Sequence, residues 1–177
     1  MPKIKGTVHA GAPLSSFVGP FRAGFTSETR SRFARSELTN REVDRETGKV
    51  EVVHLVVGAD SGRSVNAVAC RGQVEGAALQ ALGQSLFEEL RYEGGKPVNA
   101  TPLDYRVPLA RDLPDQYESF VLEHGGPGPF GAKGIGEAGM LGVASAIANA
   151  IEDAVGVRVT QVPLTPERVL AAIEAAP

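Results

Sequence analysis

The hydrophobic pattern of the chain predicts strands in three segments. Val50–Val57 is rich in β-branched residues, which favour extended backbone. It follows a stretch in which Asp44 can begin a turn and Gly48 can adopt the positive φ that a hairpin turn needs. Residues 117–123 favour a short strand, and Val157–Val162 alternates between apolar and polar positions. We therefore expect a hairpin that leads into the first of these strands.

Apolar residues at helical spacing predict three helices. The first covers residues 72–91, and every fourth position in it is apolar: Val74, Ala78, Leu82, Leu86 and Leu90. The second carries a stripe of β-branched residues: Val143, Ile147, Ile151 and Val155. Gly156, which follows the stripe, can end this helix. The third begins at Thr165-Pro166, with the threonine as N-cap and the proline as first helical residue.

Length and composition fit a single domain over residues 1–177. The chain is long enough to bury a core, and 42% of its residues are hydrophobic while 22% are charged, as in globular proteins. Residues 1–29 are rich in Gly, Pro and Ser, so irregular structure is expected there. The predicted fold class is α+β, with mixed strands packed against about three helices.

Charge and residue content exclude several functions. Residues 1–45 hold eight basic and four acidic residues, but no dense basic run with interleaved aromatics, so nucleic-acid binding is not expected. A single cysteine, Cys70, and three scattered histidines offer no ligand set for a metal. No apolar stretch approaches the ~20 residues of a membrane span, and no apolar signal core begins the chain. We expect a cytoplasmic protein without a membrane span.

The segment richest in chemical signals is the glycine-rich loop, residues 125–137, which ends at Glu137. A carboxylate where a helix begins is favoured by free backbone N–H groups, so Glu137 is either a functional acid or only a favourable first-turn residue. Gly134–Gly139 matches G-x-G-x-x-G, but no strand precedes it as a dinucleotide fingerprint requires. Lys133 is followed by glycine instead of Ser/Thr, which argues against a phosphate-binding P-loop.

Three blocks resemble the C-terminal region of the molybdopterin-binding large subunit of the xanthine dehydrogenase/aldehyde oxidase (molybdenum hydroxylase) family, in the family's order. The first is Glu42-Val-Asp-Arg-Glu-Thr-Gly48-Lys-Val, followed by Gly58-Ala-Asp60-Ser-Gly62 and Asn66. The second is Gly72-Gln73-Val74-Glu75-Gly76, followed by Gly83 and Glu88-Glu89-Leu90. The third comprises Asp104-Tyr105-Arg106-Val107-Pro108, Pro129-Phe-Gly-Ala-Lys-Gly-Ile-Gly-Glu137, Ala146-Ile-Ala-Asn149 and Pro163-Leu-Thr-Pro-Glu-Arg-Val169. The resemblance covers roughly residues 30–172.

The resemblance implies that the chain is part of a molybdopterin-binding domain in an enzyme that oxidatively hydroxylates an aldehyde or N-heterocycle. By the same resemblance Glu137 is the catalytic base and Gln73 contacts the pterin, while Gly134 and Gly136 let the backbone approach the cofactor. The implied cofactor is a molybdenum–molybdopterin, in a dinucleotide form, shared with a partner subunit. Iron–sulfur clusters and FAD would lie on partner subunits.

The chain also departs from the family pattern. The usual large subunit is several times longer, and Arg30–Arg41 is more charged than the strand expected there. The implied partners are therefore the remaining molybdopterin-binding subunit, an iron–sulfur subunit and a flavin subunit, with a small-molecule substrate. We expect the chain to be inactive alone. The alternatives are a non-catalytic interaction or assembly domain and a remnant derived from such a subunit.

Overall fold

The computed structural model of the chain describes residues 4–7 and 35–176, with side chains from residue 43 onward. Within these residues one four-stranded sheet has the order β1-β2-β3-β6: β1 (Ile4–Thr7), β2 (Arg35–Val43), β3 (Val50–Asp60) and β6 (Gln116–Leu122). A separate small hairpin consists of β4 (Tyr92–Glu93) and β5 (Lys96–Pro97). The helices are α1 (Ala67–Leu86), α2 (Val143–Val155) and α3 (Pro166–Glu174). The predicted α+β class with mixed strands and three helices is confirmed.

The sheet is mixed because its strands are joined in two ways. β1, β2 and β3 are antiparallel neighbours, whereas β3 and β6 are parallel. Parallel strands need a long crossover, and α1 supplies it here. In β3 the pairing shifts so that Val53 is an extra residue opposite β2. This bulge explains why Val52 and Leu55, three positions apart, both point into the core.

The predicted hairpin joins β2 to β3. The Asp44 carbonyl accepts a hydrogen bond from the Gly48 amide at 2.8 Å, and its carboxylate accepts one from the Glu46 amide at 2.9 Å. Gly48 has a φ of +71°, and a Cβ there would collide with the Pro166 carbonyl oxygen at the start of α3. Glycine is thus required both by the turn and by the close approach of α3.

Helix α1 begins earlier and ends earlier than its apolar stripe predicts. Asn66 caps it, accepting a hydrogen bond from the Ala69 amide at 3.0 Å. The buried members of the stripe are Val74, Ala78, Leu82 and Leu86. Leu90 was predicted to continue it, but the helix ends at Leu86 and the Leu90 side chain is 42% exposed. The Gly83 carbonyl accepts the Phe87 and Glu88 amides in the final turn, and the chain then leaves the helix.

Helix α2 packs over β1 and β2, while α1 packs over β3 and β6, and the two helices contact each other. The predicted α2 stripe is confirmed, since Val143, Ile147 and Ile151 are completely buried. Gly156 ends the helix in the left-handed conformation, with a φ of +78°. The cap and first residue predicted for α3 are also confirmed, because Thr165 accepts a hydrogen bond from the Arg168 amide.

The strand predicted for Val157–Val162 is wrong. This segment is irregular, and among the described residues it pairs with no strand. Val159 is nevertheless buried, and the Leu164 amide donates to the Ser85 carbonyl of α1 at 2.6 Å. The alternating apolar residues therefore belong to an irregular connection that packs against the end of α1, and not to a strand at the edge of the sheet.

Ala138–Val155 has the length and apolar composition of a membrane-spanning helix, so the expectation that no segment approaches this requirement was wrong. The stretch contains a 3₁₀ turn, Ala138–Met140, followed by α2. Burial of the α2 stripe against the sheet accounts for this apolar composition, because a helix in the core of a protein is also long and apolar. Of residues 1–29, for which irregular structure was expected, the structure describes only Ile4–Thr7, which form β1 at the sheet edge.

Replacing Leu82 with Ala should lower the free energy of unfolding by about 2–5 kcal/mol, because Leu82 is fully buried and the truncation leaves a cavity. The matched control is Leu90→Ala, whose side chain is partly exposed and outside the helix. Urea unfolding of both variants measures the difference. A loss below roughly 0.5 kcal/mol for Leu82→Ala would contradict its place in the core.

Candidate functional site

The glycine-rich loop is fastened to the turn that follows β3. The Lys133 amide donates to the Ser61 carbonyl at 2.8 Å, and the Arg63 amide donates to the Gly131 carbonyl at 3.0 Å. Gly62, with a φ of +59°, lies between these bonds, and a Cβ there would collide with the Gly131 carbonyl oxygen. The two backbone segments therefore run closer together than a side chain at position 62 allows.

A buried ion pair joins the same two segments. Lys133 Nζ lies 2.6 Å from Asp60 Oδ2, and the two side chains are only 3% and 2% exposed. Asp60 Oδ1 accepts hydrogen bonds from the Gly62 amide at 2.8 Å and from the His124 amide at 3.1 Å. The end of β3, the segment after β6 and the glycine-rich loop thus meet at one carboxylate.

The surroundings of Asp60 favour its charged form. Burial alone would raise the pKa of the carboxyl, because desolvation disfavours the anion. The hydrogen bond from Lys133 and those from the Gly62 and His124 amides act in the opposite direction, and the net pKa lies below its usual value. Asp60 is therefore ionised at neutral pH and forms a true ion pair with Lys133.

The structure places a cleft of about 250 Å³ between the first half of α1 and the glycine-rich loop. We call it the α1 cleft. The residues that line it are Ser61, Arg63, Val65, Asn66, Ala69, Cys70, Gln73, Ala132, Lys133 and Ile135. Gln73 was predicted from sequence, and its side chain is exposed on the α1 wall. A larger cleft of about 440 Å³ lies against the other half of α1 and contains none of the predicted site residues.

Glu137 follows the loop wall of the α1 cleft, four residues after Lys133. It was expected at the start of a long helix, but it precedes only the 3₁₀ turn Ala138–Met140, and α2 begins six residues later. Its side chain is exposed and, among the described residues, its carboxylate has no hydrogen-bond or ion-pair partner. The account of Glu137 as an ordinary first-turn acid is thereby weakened, because there is no long helix for it to cap.

The segment after Glu137 rests on α1. Gly139 is buried, and a Cβ there would lie 2.7 Å from the Val74 carbonyl oxygen, so only glycine allows this approach. Val74 is the neighbour of Gln73. Gln73 and Glu137 are therefore carried by two segments in direct contact. Gly134 and Gly136, in contrast, face open space, and nothing lies within 4 Å of a Cβ built at either position.

Glu75 belongs to the second family-like block, and no role is predicted for it from the sequence. Ser119 Oγ donates to Glu75 Oε1 at 2.6 Å, and Arg71 Nε donates to the same oxygen at 2.8 Å. These bonds lower the pKa of the Glu75 carboxyl, Ser119 having the larger effect. Tyr117 OH donates to the Glu75 carbonyl at 2.6 Å. Glu75 thus fixes α1 to β6 and so sets the direction in which Gln73 points.

The chain is similar to known proteins in sequence and in fold. Residues 33–114 match the molybdopterin cofactor-binding domain family. The gamma subunit of the 6-hydroxypseudooxynicotine dehydrogenase complex from Paenarthrobacter nicotinovorans is 39% identical over 137 residues. That match covers 75% of this chain and 17% of the relative. The chain corresponds to part of the molybdopterin-binding subunit of the molybdenum hydroxylase family.

Further members of the family show the same partial match. The aldehyde oxidoreductase molybdenum-binding subunit PaoC of Escherichia coli (strain K12) is 39% identical over 128 residues, which are 70% of this chain and 17% of PaoC. The solved quinoline 2-oxidoreductase of Pseudomonas putida 86 superposes with a TM-score of 0.73 at 34% identity, over 80% of this chain and 18% of that one. The chain thus spans about a sixth of the length of the curated relatives it matches.

Replacing Asp60 with Asn should destabilise the chain by about 3–5 kcal/mol near pH 7, because the Lys133 ammonium is left buried without its anion. The pKa of Asp60 is lower folded than unfolded, so its stabilisation is present above the unfolded value of about 3.9 and is lost as pH falls through the folded value. Urea unfolding at several pH values should therefore show the difference between wild type and variant shrinking on acidification.

The control for this change is Asp153→Asn. Asp153 is exposed on α2, so its substitution should alter stability by no more than about 0.5 kcal/mol at any pH. A deficit in Asp60→Asn that stayed constant down to pH 3 would show that the carboxylate charge is not what stabilises this junction.

Proposed function

We propose that this chain supplies one wall of the cofactor site and the catalytic base, Glu137, of a molybdenum hydroxylase. The substrate class would be an aldehyde or an N-heterocycle, and relatives named for aldehyde and for quinoline oxidation support both possibilities. The observation that carries the proposal is a juxtaposition beside the α1 cleft. An uncommitted amide, Gln73, on its α1 wall and an uncommitted carboxylate, Glu137, two residues beyond its loop wall lie on two segments that touch each other.

The residues of the α1 cleft suit a molybdopterin that brings its own metal ligands. In the part of the chain that the structure describes, no group of three His, Cys, Asp or Glu side chains could hold a metal ion. The Gln73 amide can both donate and accept hydrogen bonds, as the edge of a pterin requires. The open backbone at Gly134 and Gly136 leaves room for a large group to approach.

The size of the α1 cleft indicates how the site would be completed. Sites for small molecules and cofactors usually enclose about 300–1,000 Å³ and bury most of the ligand. A cleft of about 250 Å³ on one chain is smaller. We infer that a second polypeptide, the remaining molybdopterin-binding subunit, closes the site over a dinucleotide form of the cofactor.

Glu137 would act as a proton acceptor. When bound, the cofactor supplies the redox chemistry, inserting an oxygen derived from water into a carbon–hydrogen bond and taking up two electrons. The Glu137 carboxylate removes the proton released from that water, a role that needs a carboxylate free of competing partners. Its exposure and its lack of a partner among the described residues meet this requirement.

The proposal extends to the assembly. Electrons would leave through an iron–sulfur subunit and a flavin subunit, and the enzyme would work in the cytoplasm. One relative is itself named as the gamma subunit of a dehydrogenase complex, which supports membership in a complex. The second candidate function is a non-catalytic assembly domain, in which the exposed side chains of Gln73 and Glu137 would have no catalytic role. The two candidates differ in whether turnover depends on Glu137.

In the assembled enzyme Glu137→Gln should lower turnover by about 10²–10⁴-fold, because the substitution keeps the size of the side chain but removes the base. Molybdenum content should remain near that of the wild type. Steady-state rates and metal analysis measure both quantities. Glu174→Gln, an exposed carboxylate at the end of α3, is the matched control and should be fully active. Near wild-type turnover in Glu137→Gln would instead favour the non-catalytic assembly domain.

If Gln73 contacts the pterin, Gln73→Ala should reduce the molybdenum content of the assembled complex while leaving the unfolding midpoint almost unchanged. The reason is that the Gln73 side chain is exposed and has no hydrogen bond within the described residues. Gln84→Ala, on an exposed position of the same helix but outside the α1 cleft, is the control. Equal molybdenum content in both variants would remove Gln73 from the cofactor site.

A further inference from the structure

We infer that Asp60 and Lys133 are positioning residues for the proposed reaction, and that their buried pair holds the loop carrying Glu137 in its working place. The inference rests on the proposed role of Glu137 as the base. Neither residue would touch the reacting atoms. Their effect would be transmitted through four residues of backbone, from Lys133 to Glu137.

The first step of the argument is that the pair persists. Lysine is rarely buried, yet the Lys133 side chain is 3% exposed and its ammonium group lies 2.6 Å from Asp60 Oδ2. Separation of the pair would leave two uncompensated charges in the interior, which costs several kcal/mol. Asp60 cannot turn away easily, since its other oxygen accepts the Gly62 and His124 amides. The Lys133 side chain is therefore held in place at the end of β3.

The second step is that Glu137 lies between two such fixed points. Lys133 anchors the segment on one side, and Gly139 anchors it on the other through its contact with the Val74 carbonyl. The intervening residues include Gly134 and Gly136, which have no neighbours to confine them. Glycine backbone has the widest conformational freedom, so the conformation of this segment depends on how its two ends are held.

The third step concerns what is lost without the first anchor. Ile135 packs partly against the core, but an apolar contact does not fix direction as a buried hydrogen-bonded pair does. A displacement of about 1 Å at a reacting group can cost on the order of 10²-fold in rate. Gln73 is held separately, because α1 is fixed to β6 by the bonds from Tyr117 and Ser119 to Glu75. Loss of the pair should thus impair turnover without releasing the cofactor.

The test uses Lys133→Met, which keeps an unbranched apolar stem of nearly the same length but removes the charged ammonium group. Because this variant removes the lysine partner of the buried Asp60 carboxylate and so endangers folding, the double variant Asp60→Asn/Lys133→Met accompanies it. Replacing both charges of a buried pair is often nearly neutral for stability, and the asparagine Oδ1 can still accept the two amides. Arg168→Met is the matched control, because it breaks another long-range pair, with Glu89 at 2.6 Å, away from the loop.

The first readout is amide hydrogen exchange of the full chain, which needs no cofactor. In the double variant, the hydrogen-bonded amides that fasten the loop, at positions 63, 133 and 140, should exchange about tenfold faster or more, while those of the α2 core at Ile147 and Ile151 stay protected. Arg168→Met should leave exchange at these three loop positions unchanged. Unaltered exchange of the loop in the double variant would overturn the inference.

The second readout is steady-state kinetics of the assembled enzyme, with molybdenum content measured alongside. The double variant should lose about 10²-fold in kcat with little change in KM or metal content. In a Glu137→Gln background the same change should add almost no further loss, because the pair acts through Glu137. Full activity in the double variant, or a parallel loss of molybdenum, would overturn the inference. Full activity in Glu137→Gln alone would instead overturn the proposed function.

Discussion

The candidate site depends on the hydrogen bonds and the ion pair of one carboxylate, that of Asp60 at the end of β3. This carboxylate accepts hydrogen bonds from the Gly62 amide in the next turn, from the His124 amide after β6 and from the Lys133 ammonium group of the glycine-rich loop. A buried carboxylate with its lone pairs occupied by one cation and two amides leaves little freedom to any of them. Three segments far apart in sequence therefore meet in one arrangement, and Lys133 brings the loop that forms the second wall of the α1 cleft.

Helix α1 serves the core and the site with two different faces. Val74, Ala78 and Leu82 are buried against the sheet, and this burial fixes the rotation of the helix about its axis. Gln73 precedes Val74 by one residue and so must point about a quarter turn away, toward the α1 cleft. A stable core and a defined direction for the amide are consequences of the same packing.

The helices and the hairpin could be predicted because their signals are local. The α2 stripe, the Gly156 stop and the Thr165 cap each depend on residues a few positions apart, and all three are confirmed. The start of α1 was missed because its first residues are exposed and add nothing to an apolar stripe, although Asn66 offered a cap signal. The strand expected at Val157–Val162 failed because alternation cannot reveal whether a partner strand lies beside the segment.

The site itself was less accessible to sequence reasoning. Asp60 and Lys133 are 73 residues apart, and nothing local to either residue identifies the other as its partner. Gly139 has a role only because α1 passes beside it. Glu137 was selected by family resemblance, since an acid at the end of a glycine-rich loop has an ordinary explanation as well. The structure removes part of that explanation, because the turn after Glu137 is only three residues long.

The buried pair also bears on why Glu137 has no partner. Lys133 is the cation nearest to Glu137 in sequence, and a free lysine four residues away could pair with it. A cation beside a carboxylate stabilises the charged form and so weakens the carboxylate as a proton acceptor. Asp60 removes this competitor by holding the Lys133 ammonium in the interior, 2.6 Å from its own oxygen. The contact that fixes the loop thereby leaves Glu137 without an ion pair among the described residues, as its proposed role of general base requires.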